Sequence, residues 1–229
     1  MPNSFGNKNF NECVFSLQQI DWERMPEVYD VTRNVLFQLA DQKKLLLELA
    51  QSLETDNTLF SQCEADDFSD RLVLYADPRR RFSIRLNFRA STNHHQPHNH
   101  RASFAALILS GEYKHALYGR ANWLTENGEN LPSPQAIQDL SPIVVREETV
   151  GNMYCLHHSA FHSTTAAHNH VSLVIKGPAA KDRLLILDVL NQQGRWLYSR
   201  ESIRSAATTQ NLMTHDRLSS LLLRLARIL

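Results

Sequence analysis

Short segments of alternating polarity run through the middle of this chain and restrict the folds that it can adopt. Residues 81–89 alternate polar and apolar side chains, with Phe82, Ile84, Leu86 and Phe88 on one side. This period of two predicts a half-buried β-strand, because successive side chains of a strand point to opposite faces. We expect these four side chains to face the interior of the fold and the arginines between them to face mostly solvent.

Further strand candidates follow, and no helical period interrupts them between about residues 71 and 199. Turn residues separate these short runs, a pattern typical of an antiparallel barrel or a double-sheet jelly roll. A long loop is expected at the rim, in residues 121–141, which include Asn127-Gly128 and two prolines. The other predicted strands cover residues 71–75, 103–109, 112–118, 143–147, 152–156, 171–176, 184–189 and 195–199.

Helical patterns lie on both sides of this region. From Val28 to Leu53 apolar residues recur at three- and four-residue steps, which predicts amphipathic helix, with residues 40–42 either a break or its polar face. A leucine stripe from Leu212 to Leu229 predicts a C-terminal helix that covers its own barrel or forms a dimer surface. Residues 1–20 are expected to form a loosely structured arm. The expected organisation is an arm and helical extension in residues 1–65, a barrel in 66–200 and a C-terminal helix in 201–229.

The composition argues against several classes of partner. The formal net charge at pH 7 is zero and there is no basic run, so neither nucleic acid nor a membrane surface is indicated. Three widely spaced cysteines do not form a disulfide framework. The N-terminal residues lack the layout of a signal peptide, and no apolar run approaches the roughly eighteen residues of a membrane span. We therefore expect a cytoplasmic protein.

The histidines concentrate the candidate chemistry in one third of the chain. Ten of the eleven lie between His94 and His170. His98 and His100 are two residues apart, so on a strand both would reach the same point. Three imidazoles on a divalent metal ion leave positions for water, substrate or dioxygen. A third ligand has to come from a second cluster, which comprises His157, His158, His162, His168 and His170.

Two segments carry a resemblance to a known family. His98-x-His100 followed by Gly111 resembles the first motif of the cupin superfamily. Residues 161–178, which begin Phe161-His162, are similar to the second motif as it stands in the cysteine dioxygenase group, the thiol dioxygenases. The resemblance makes His162 the third metal ligand, with His157 and His158 as its rivals.

The resemblance extends upstream of the histidines. Asp70-Arg71 and the segment 77–84 look like the part of those enzymes that carries an arginine for the substrate carboxylate, which places Arg71 in that role. On the residues alone, a surface ion pair of Arg71 with Asp67 or Asp70 is an equal alternative. The family resemblance implies an all-β cupin jelly-roll barrel with α-helical N-terminal and C-terminal extensions. It also implies Fe(II), with zinc, nickel or manganese as other divalent candidates, together with O2, a small-molecule substrate and a homodimer.

The chain departs from the family at defined positions. Phe104 stands where cupins have a glutamate ligand, which leaves three neutral imidazoles, as in the thiol dioxygenases. The serine-histidine-tyrosine relay of those enzymes falls on Ser172, Val174 and Lys176, so only the serine, near the metal, is retained. Three functions follow: a thiol dioxygenase, a cupin oxygenase acting on a non-thiol metabolite, and a non-catalytic cupin that binds a metal or a small ligand.

The remaining candidates have weaker patterns. His168 and His170 are expected at the rim or behind the metal ligands, and His94 and His95 at the barrel mouth. His115 and His215 carry no signal. Cys155, on a short predicted strand, is either a core residue or a reactive thiol near the metal.

Overall fold

The computed structural model describes residues 8–65, 69–89, 96–118, 131–166, 169–198 and 212–229. Two antiparallel sheets face each other, and helices from both ends of the chain cover one of them. The helices are α1 (Lys8–Gln18), α2 (Met25–Asp41), α3 (Lys43–Gln51), α4 (Asn57–Phe60), α5 (Pro134–Gln138) and α6 (His215–Ile228). The strands are β1 (Glu64–Ala65), β2 (Ser69–Ala76), β3 (Ser83–Arg89), β4 (Phe104–Ser110), β5 (Tyr113–Tyr118), β6 (Pro142–Glu148), β7 (Met153–Leu156), β8 (Phe161–Ala166), β9 (Val171–Lys176), β10 (Arg183–Asp188) and β11 (Gln193–Tyr198).

The strands pair in the nested order of a jelly roll. One sheet has the order β1-β2-β3-β9-β4-β7 and the other contains β6-β5-β8, to which isolated bridges of His98 connect the β10–β11 hairpin. The pairs β3 with β9, the His98 segment with β8, β4 with β7, and β5 with β6 are all antiparallel, and each lies inside the previous pair along the chain. This nesting is the double-sheet arrangement expected from the sequence, and it confirms the predicted fold class.

A helical layer covers the outer face of the six-stranded sheet. Ile84, Leu86 and Phe88 of β3 are buried in one continuous core with apolar residues of α1, α2, α3 and α6. The other face of β3 looks into the barrel, because Arg85 lies opposite Val174 and Val174 packs with aromatic residues from both sheets. The expectation that the arginines of this strand face solvent is therefore wrong for Arg85, and burial lowers the pKa of its guanidinium. The sequence pattern identified the two faces of β3. The apolar face packs against the helices, and the face with the arginines looks into the barrel.

The helical segments differ from the expectations in two places. Residues 8–18 form α1, with Phe10, Cys13 and Leu17 buried, so this part of the expected arm is an ordered helix. The predicted helical region 28–53 is interrupted at Gln42, between α2 and α3. In α6 the leucines at 218, 221, 222 and 225 are buried in the same core as α2 and α3, so this helix covers its own chain. The short α5 lies within the region expected to be a loop.

No helix within the described segments has the length and apolarity needed to cross a bilayer.

Candidate metal centre

Three of the eleven histidines meet inside the barrel. His98 and His100 lie on the segment that enters β4, and His162 is the second residue of β8. One ring nitrogen of each lies within 4.8 Å of the others, and the Nε2 atoms of His100 and His162 are 2.7 Å apart. The backbone N–H groups of His98 and His162 donate to each other's carbonyl oxygens at 2.9 and 3.0 Å. Strand pairing therefore brings together residues that are some sixty positions apart in sequence.

Hydrogen bonds fix which nitrogen two of the three rings present to the centre. Nδ1 of His98 donates to the carbonyl oxygen of Gln96 at 2.8 Å, which leaves Nε2 as the unprotonated nitrogen of the neutral ring. Nδ1 of His162 lies 2.9 Å from Nε2 of His115. A metal ligand whose second nitrogen is held in this way keeps one tautomer and one orientation.

His115 and Glu148 form a buried support behind His162. Nδ1 of His115 donates to Oε1 of Glu148 at 3.0 Å, so its Nε2 accepts the proton of Nδ1 in His162 and leaves Nε2 of His162 bare. Burial alone would raise the pKa of Glu148, but the hydrogen bond from His115 and the charge of Arg146 lower it. Sequence reasoning assigned no role to His115. The alternation of β5 places it on the same face as Tyr113, but only the strand register could have placed it beside His162.

The environment of the centre keeps its imidazoles neutral. Burial lowers the pKa of His98 to about 4, and it also lowers the pKa values of His100 and His162. The charges of Arg89 and Arg71 are further causes for His98. Neutral imidazole is the form that ligates metal ions. The donor set therefore fits a divalent cation.

Phe104 contributes a ring where a carboxylate would complete a four-ligand cupin site. Its centroid lies 4.7 Å from that of His100 and 6.2 Å from that of His162. Among the residues that the structure describes, the cluster contains no carboxylate. An ion held here would therefore keep its full positive charge.

Arg71 and Ser172 lie on the same interior sheet face. Arg71 is paired in register with Asn87, and Asn87 with Ser172 on the next strand. Arg71 forms an ion pair with Glu64, while Asp70 pairs with Arg217 of α6. Of the two alternative partners named from the sequence, Asp70 is thus excluded and Asp67 lies outside the described residues. The roles of Arg71 at a substrate carboxylate and of Ser172 near the metal stay predictions.

The other candidates fall elsewhere. His157 and His158, the rivals of His162, form a separate cluster with Glu23, apart from His98 and His100. His170 is buried, with its ring 4.6 Å from that of Tyr113, so it does not lie at the rim. Cys155 lies beside Thr32 of α2, half-buried against the helical core, and burial raises the pKa of its thiol to about 11. His215 stacks on Phe60. The remaining histidine candidates lie outside the described part of the chain: His94, His95 and His168.

Comparisons with known proteins give distant structural similarity. No protein-family profile and no curated protein sequence matches the chain. Among solved structures, KdgF from Halomonas sp. is 13% identical. The alignment covers 50% of this chain and 86% of KdgF, with a TM-score of 0.35. An RmlC-like cupin from Shewanella frigidimarina is 14% identical over 53% of this chain and 87% of its own (TM-score 0.37). The DMSP lyase DddQ from Ruegeria pomeroyi is 13% identical, and the alignment covers 60% of this chain and 75% of DddQ, with a TM-score of 0.37.

With TM-scores of this size, the assignment of class rests on the strand pairing and the histidines themselves. The nested antiparallel pairs define a cupin-like jelly-roll barrel with helices at both ends. Its interior holds three histidines that could bind a metal ion.

Proposed function

We propose that this protein is a dioxygenase of the cysteine dioxygenase-like cupin type. In this proposal His98, His100 and His162 hold Fe(II), and the enzyme uses dioxygen to oxidise a small substrate that carries a carboxylate. Bound Fe(II) would supply open coordination positions and the redox chemistry that dioxygen requires. For a thiol substrate, both oxygen atoms would end on sulfur as a sulfinate. The sequence resemblance suggests the reaction, and the geometry of the three histidines supports a metal centre for it.

The observation that carries the proposal is the three-histidine cluster without a carboxylate. Three neutral ligands do not offset the charge of a divalent ion, which favours capture of an anionic substrate on the remaining positions. The hydrogen bonds of His98 and His162 present their Nε2 atoms before a metal arrives. The same donor set accepts zinc, nickel or manganese, so the choice of Fe(II) depends on the proposed reaction.

Positive side chains on the interior face support an anionic substrate. Arg71, Arg85 and Lys176 lie on the face that looks into the barrel, by the register of β2, β3 and β9. Burial lowers the pKa of Lys176 to about 7, so this side chain adds its positive charge below about that pH. The charges of Lys176 and Arg71 contribute, after burial and His98, to the lowered pKa of His100, so both act on the metal centre. A guanidinium offers five donors in a planar fork, and Glu64 pairs with Nη1 of Arg71. We propose Arg71 as the residue that binds the substrate carboxylate, beside or in exchange with Glu64.

A second candidate is oxidation of a non-thiol metabolite at the same centre. Val174 and Lys176 occupy the positions of the histidine and tyrosine of the thiol dioxygenase relay, and Val174 packs into an apolar cluster with Tyr113 and Tyr154. The interior thus lacks, at these positions, the groups that those enzymes use. A non-catalytic cupin that binds a metal or small ligand is the third candidate.

The unpaired state of Cys13, Cys63 and Cys155 fits the reducing cytoplasm that we propose as the location. A homodimer also stays a prediction.

The test combines metal content with dioxygen uptake. Wild-type protein, His98→Ala and His162→Ala are purified anaerobically beside His215→Ala, which changes an exposed histidine stacked on Phe60. We expect about one iron per chain in the wild type and in His215→Ala, and its loss in the other two variants. Each protein is then supplied with cysteine or 3-mercaptopropionate in a dioxygen electrode.

Each outcome separates the candidates. Iron with stoichiometric thiol-dependent uptake supports the thiol dioxygenase. Iron without such uptake favours the non-thiol oxygenase, and a substrate screen that finds no turnover favours the non-catalytic cupin. Retention of metal in both His98→Ala and His162→Ala would refute the assignment of the site.

A further inference from the structure

A second group of metal-ligating side chains lies where the N-terminal helical layer meets the barrel. Glu23 belongs to the connection between α1 and α2, and His157 and His158 to the turn between β7 and β8. Nε2 of His157 lies 3.0 Å from Oε2 of Glu23, and Nε2 of His158 lies 3.4 Å from Oε1. One donor atom from each residue lies within 4.8 Å of the other two. The three residues converge although more than 130 positions separate Glu23 from the histidines.

The ring of His157 and the backbone of His158 are held in place independently of Glu23. Nδ1 of His157 lies 2.6 Å from the hydroxyl of Ser159, which turns Nε2 of that ring towards the carboxylate. The backbone N–H of His158 donates to the hydroxyl of Ser103 at 3.1 Å, and the ammonium of Lys181 donates to the His158 carbonyl oxygen at 3.1 Å. The ring centroids of His157 and His158 are 4.1 Å apart. The donors are therefore pre-positioned by the fold of the turn.

The surroundings of the cluster leave room for a ligand. A cavity of about 480 Å³ adjoins the cluster and is lined by Glu23, Met25, Tyr118 and His157, among others. Glu23 itself is 61% exposed, so the group is open to solvent on that side. An ion at this place would have room for water ligands.

We propose that Glu23, His157 and His158 bind a divalent transition-metal ion, of which Zn²⁺ is the best example, at a site distinct from the barrel centre. Two imidazoles and one carboxylate with a position left for water are a donor set that zinc accepts. Donor atoms of a tetrahedral zinc ion at its usual bond lengths lie about 3.4 Å from each other. Each ring nitrogen lies at about this distance from a different oxygen of the Glu23 carboxylate, 3.0 Å from Oε2 for His157 and 3.4 Å from Oε1 for His158. The Glu23 carboxylate offsets one of the two positive charges of the ion. The cluster at the barrel centre has no carboxylate among the described residues.

The position of this site gives it a consequence for the barrel centre. The backbone N–H of His100 donates to the carbonyl oxygen of His158 at 3.2 Å. An ion on His158 would tie the α1–α2 connection to the same backbone that holds His100. We infer that occupancy of the outer site stabilises the attachment of the helical layer next to the histidine centre.

The test counts Zn²⁺ equivalents in full-length protein after chelator treatment and gel filtration. Glu23→Gln keeps the size of the side chain and removes its charge, while Glu27→Gln makes the same change at a neighbouring residue outside the cluster. We expect two zinc equivalents in wild type and in Glu27→Gln, and weakening of one of them by at least about tenfold in Glu23→Gln. Addition of zinc should raise the melting temperature of Glu27→Gln more than that of Glu23→Gln.

His98→Ala separates this inference from the proposed function. His98→Ala should lose the zinc ion bound at the barrel centre and keep the one at the outer site. Glu23→Gln should keep the zinc ion at the barrel centre and bind the outer one more weakly. Equal melting temperatures of the two glutamate variants in excess chelator establish that both fold. If Glu23→Gln then binds zinc with the same stoichiometry and affinity as Glu27→Gln, the cluster is an ion-pair contact only and the proposal is overturned.

Discussion

Nε2 of His115 lies 2.9 Å from Nδ1 of His162, and the opposite side of the His115 ring donates to the buried carboxylate of Glu148. The carboxylate thereby sets the tautomer of His115, and His115 sets that of His162. A residue that does not belong to the three-histidine cluster thus determines which nitrogen of His162 is presented to a metal ion.

Replacing His115 by phenylalanine is expected to weaken divalent metal binding at the barrel centre by about 10- to 100-fold, because His162 loses its orienting partner. Glu148→Gln should have a smaller effect, since an amide oxygen can still accept from His115. Isothermal titration of anaerobic apo-protein with Fe(II), on variants that retain their circular dichroism spectrum, measures the affinities. Unchanged affinity in a folded His115→Phe protein would show that His162 needs no such support.

Lys176 gives the stability of the protein a specific pH dependence. Burial, followed by the charges of Arg85 and Arg101, lowers the pKa of its ammonium from 10.5 to about 7. Between these two values the unfolded chain binds a proton that the folded chain does not, so the free energy of unfolding rises with pH from about 7 upward. Below about pH 7 both states are protonated and this contribution no longer changes.

Lys176→Met should therefore show a smaller rise in the free energy of unfolding between pH 7 and 9 than the wild type. Lys114→Met, on the exposed face of β5, is the matched control and should keep the wild-type slope. Urea unfolding of metal-free protein at several pH values measures the difference. Identical slopes for Lys176→Met and Lys114→Met would mean that Lys176 remains charged in the folded protein.

Gly111 and Gly151 both have positive φ angles, of 73° and 87°, but only one of them is crowded. A Cβ atom on Gly111 would lie 2.9 Å from Cα of His170, while one on Gly151 would meet nothing within 4 Å. Gly151→Ala is expected to cost about 1 kcal/mol from backbone conformation alone, and Gly111→Ala about 3 kcal/mol because it adds a steric conflict with backbone. Chemical denaturation of the two variants isolates the steric part. Equal losses of unfolding free energy in the two variants would indicate that the backbone at His170, just before β9, moves aside freely.

Asp70 and Arg217 connect the barrel to the C-terminal helix. The carboxylate of Asp70 is 2% exposed and accepts from Nη2 of Arg217 at 2.6 Å. Arg217→Met leaves a buried carboxylate without this partner and is expected to lower the free energy of unfolding by about 2 kcal/mol. Adding Asp70→Asn should recover part of that loss.

Arg227→Met, on the exposed side of the same helix, is the control and should leave stability nearly unchanged. Thermal and denaturant unfolding of the four proteins form the measurement. If Arg217→Met behaves like Arg227→Met, the ion pair does not contribute to holding α6 on the sheet.

Local sequence patterns were sufficient for most of the elements. The alternation in residues 81–89 and the run 171–176 appear as β3 and β9, and the leucine stripe near the C-terminus as α6. The fold class is confirmed because short strands without helical period leave few alternatives to a two-sheet barrel. The division of the chain into three parts at residues 65 and 200 stays a prediction. So does the binding of a metal ion by His98, His100 and His162. The helix α1 was missed because its few apolar residues pack against α2 and, through Phe10, against Tyr75 of β2, and such contacts cannot be read from a local pattern.

The sequence by itself determined most of the strands and the two long helical regions, that an HxH pair would put two imidazoles on one side, and that a later histidine was needed. These properties depend on side-chain periods within a few neighbouring residues. The tertiary structure decided the rest. It made Arg85 an interior residue, placed His115 behind His162, and moved His157 and His158 into a separate cluster with Glu23. These outcomes depend on strand register and on which face the helices cover, and both are set by contacts between distant parts of the chain.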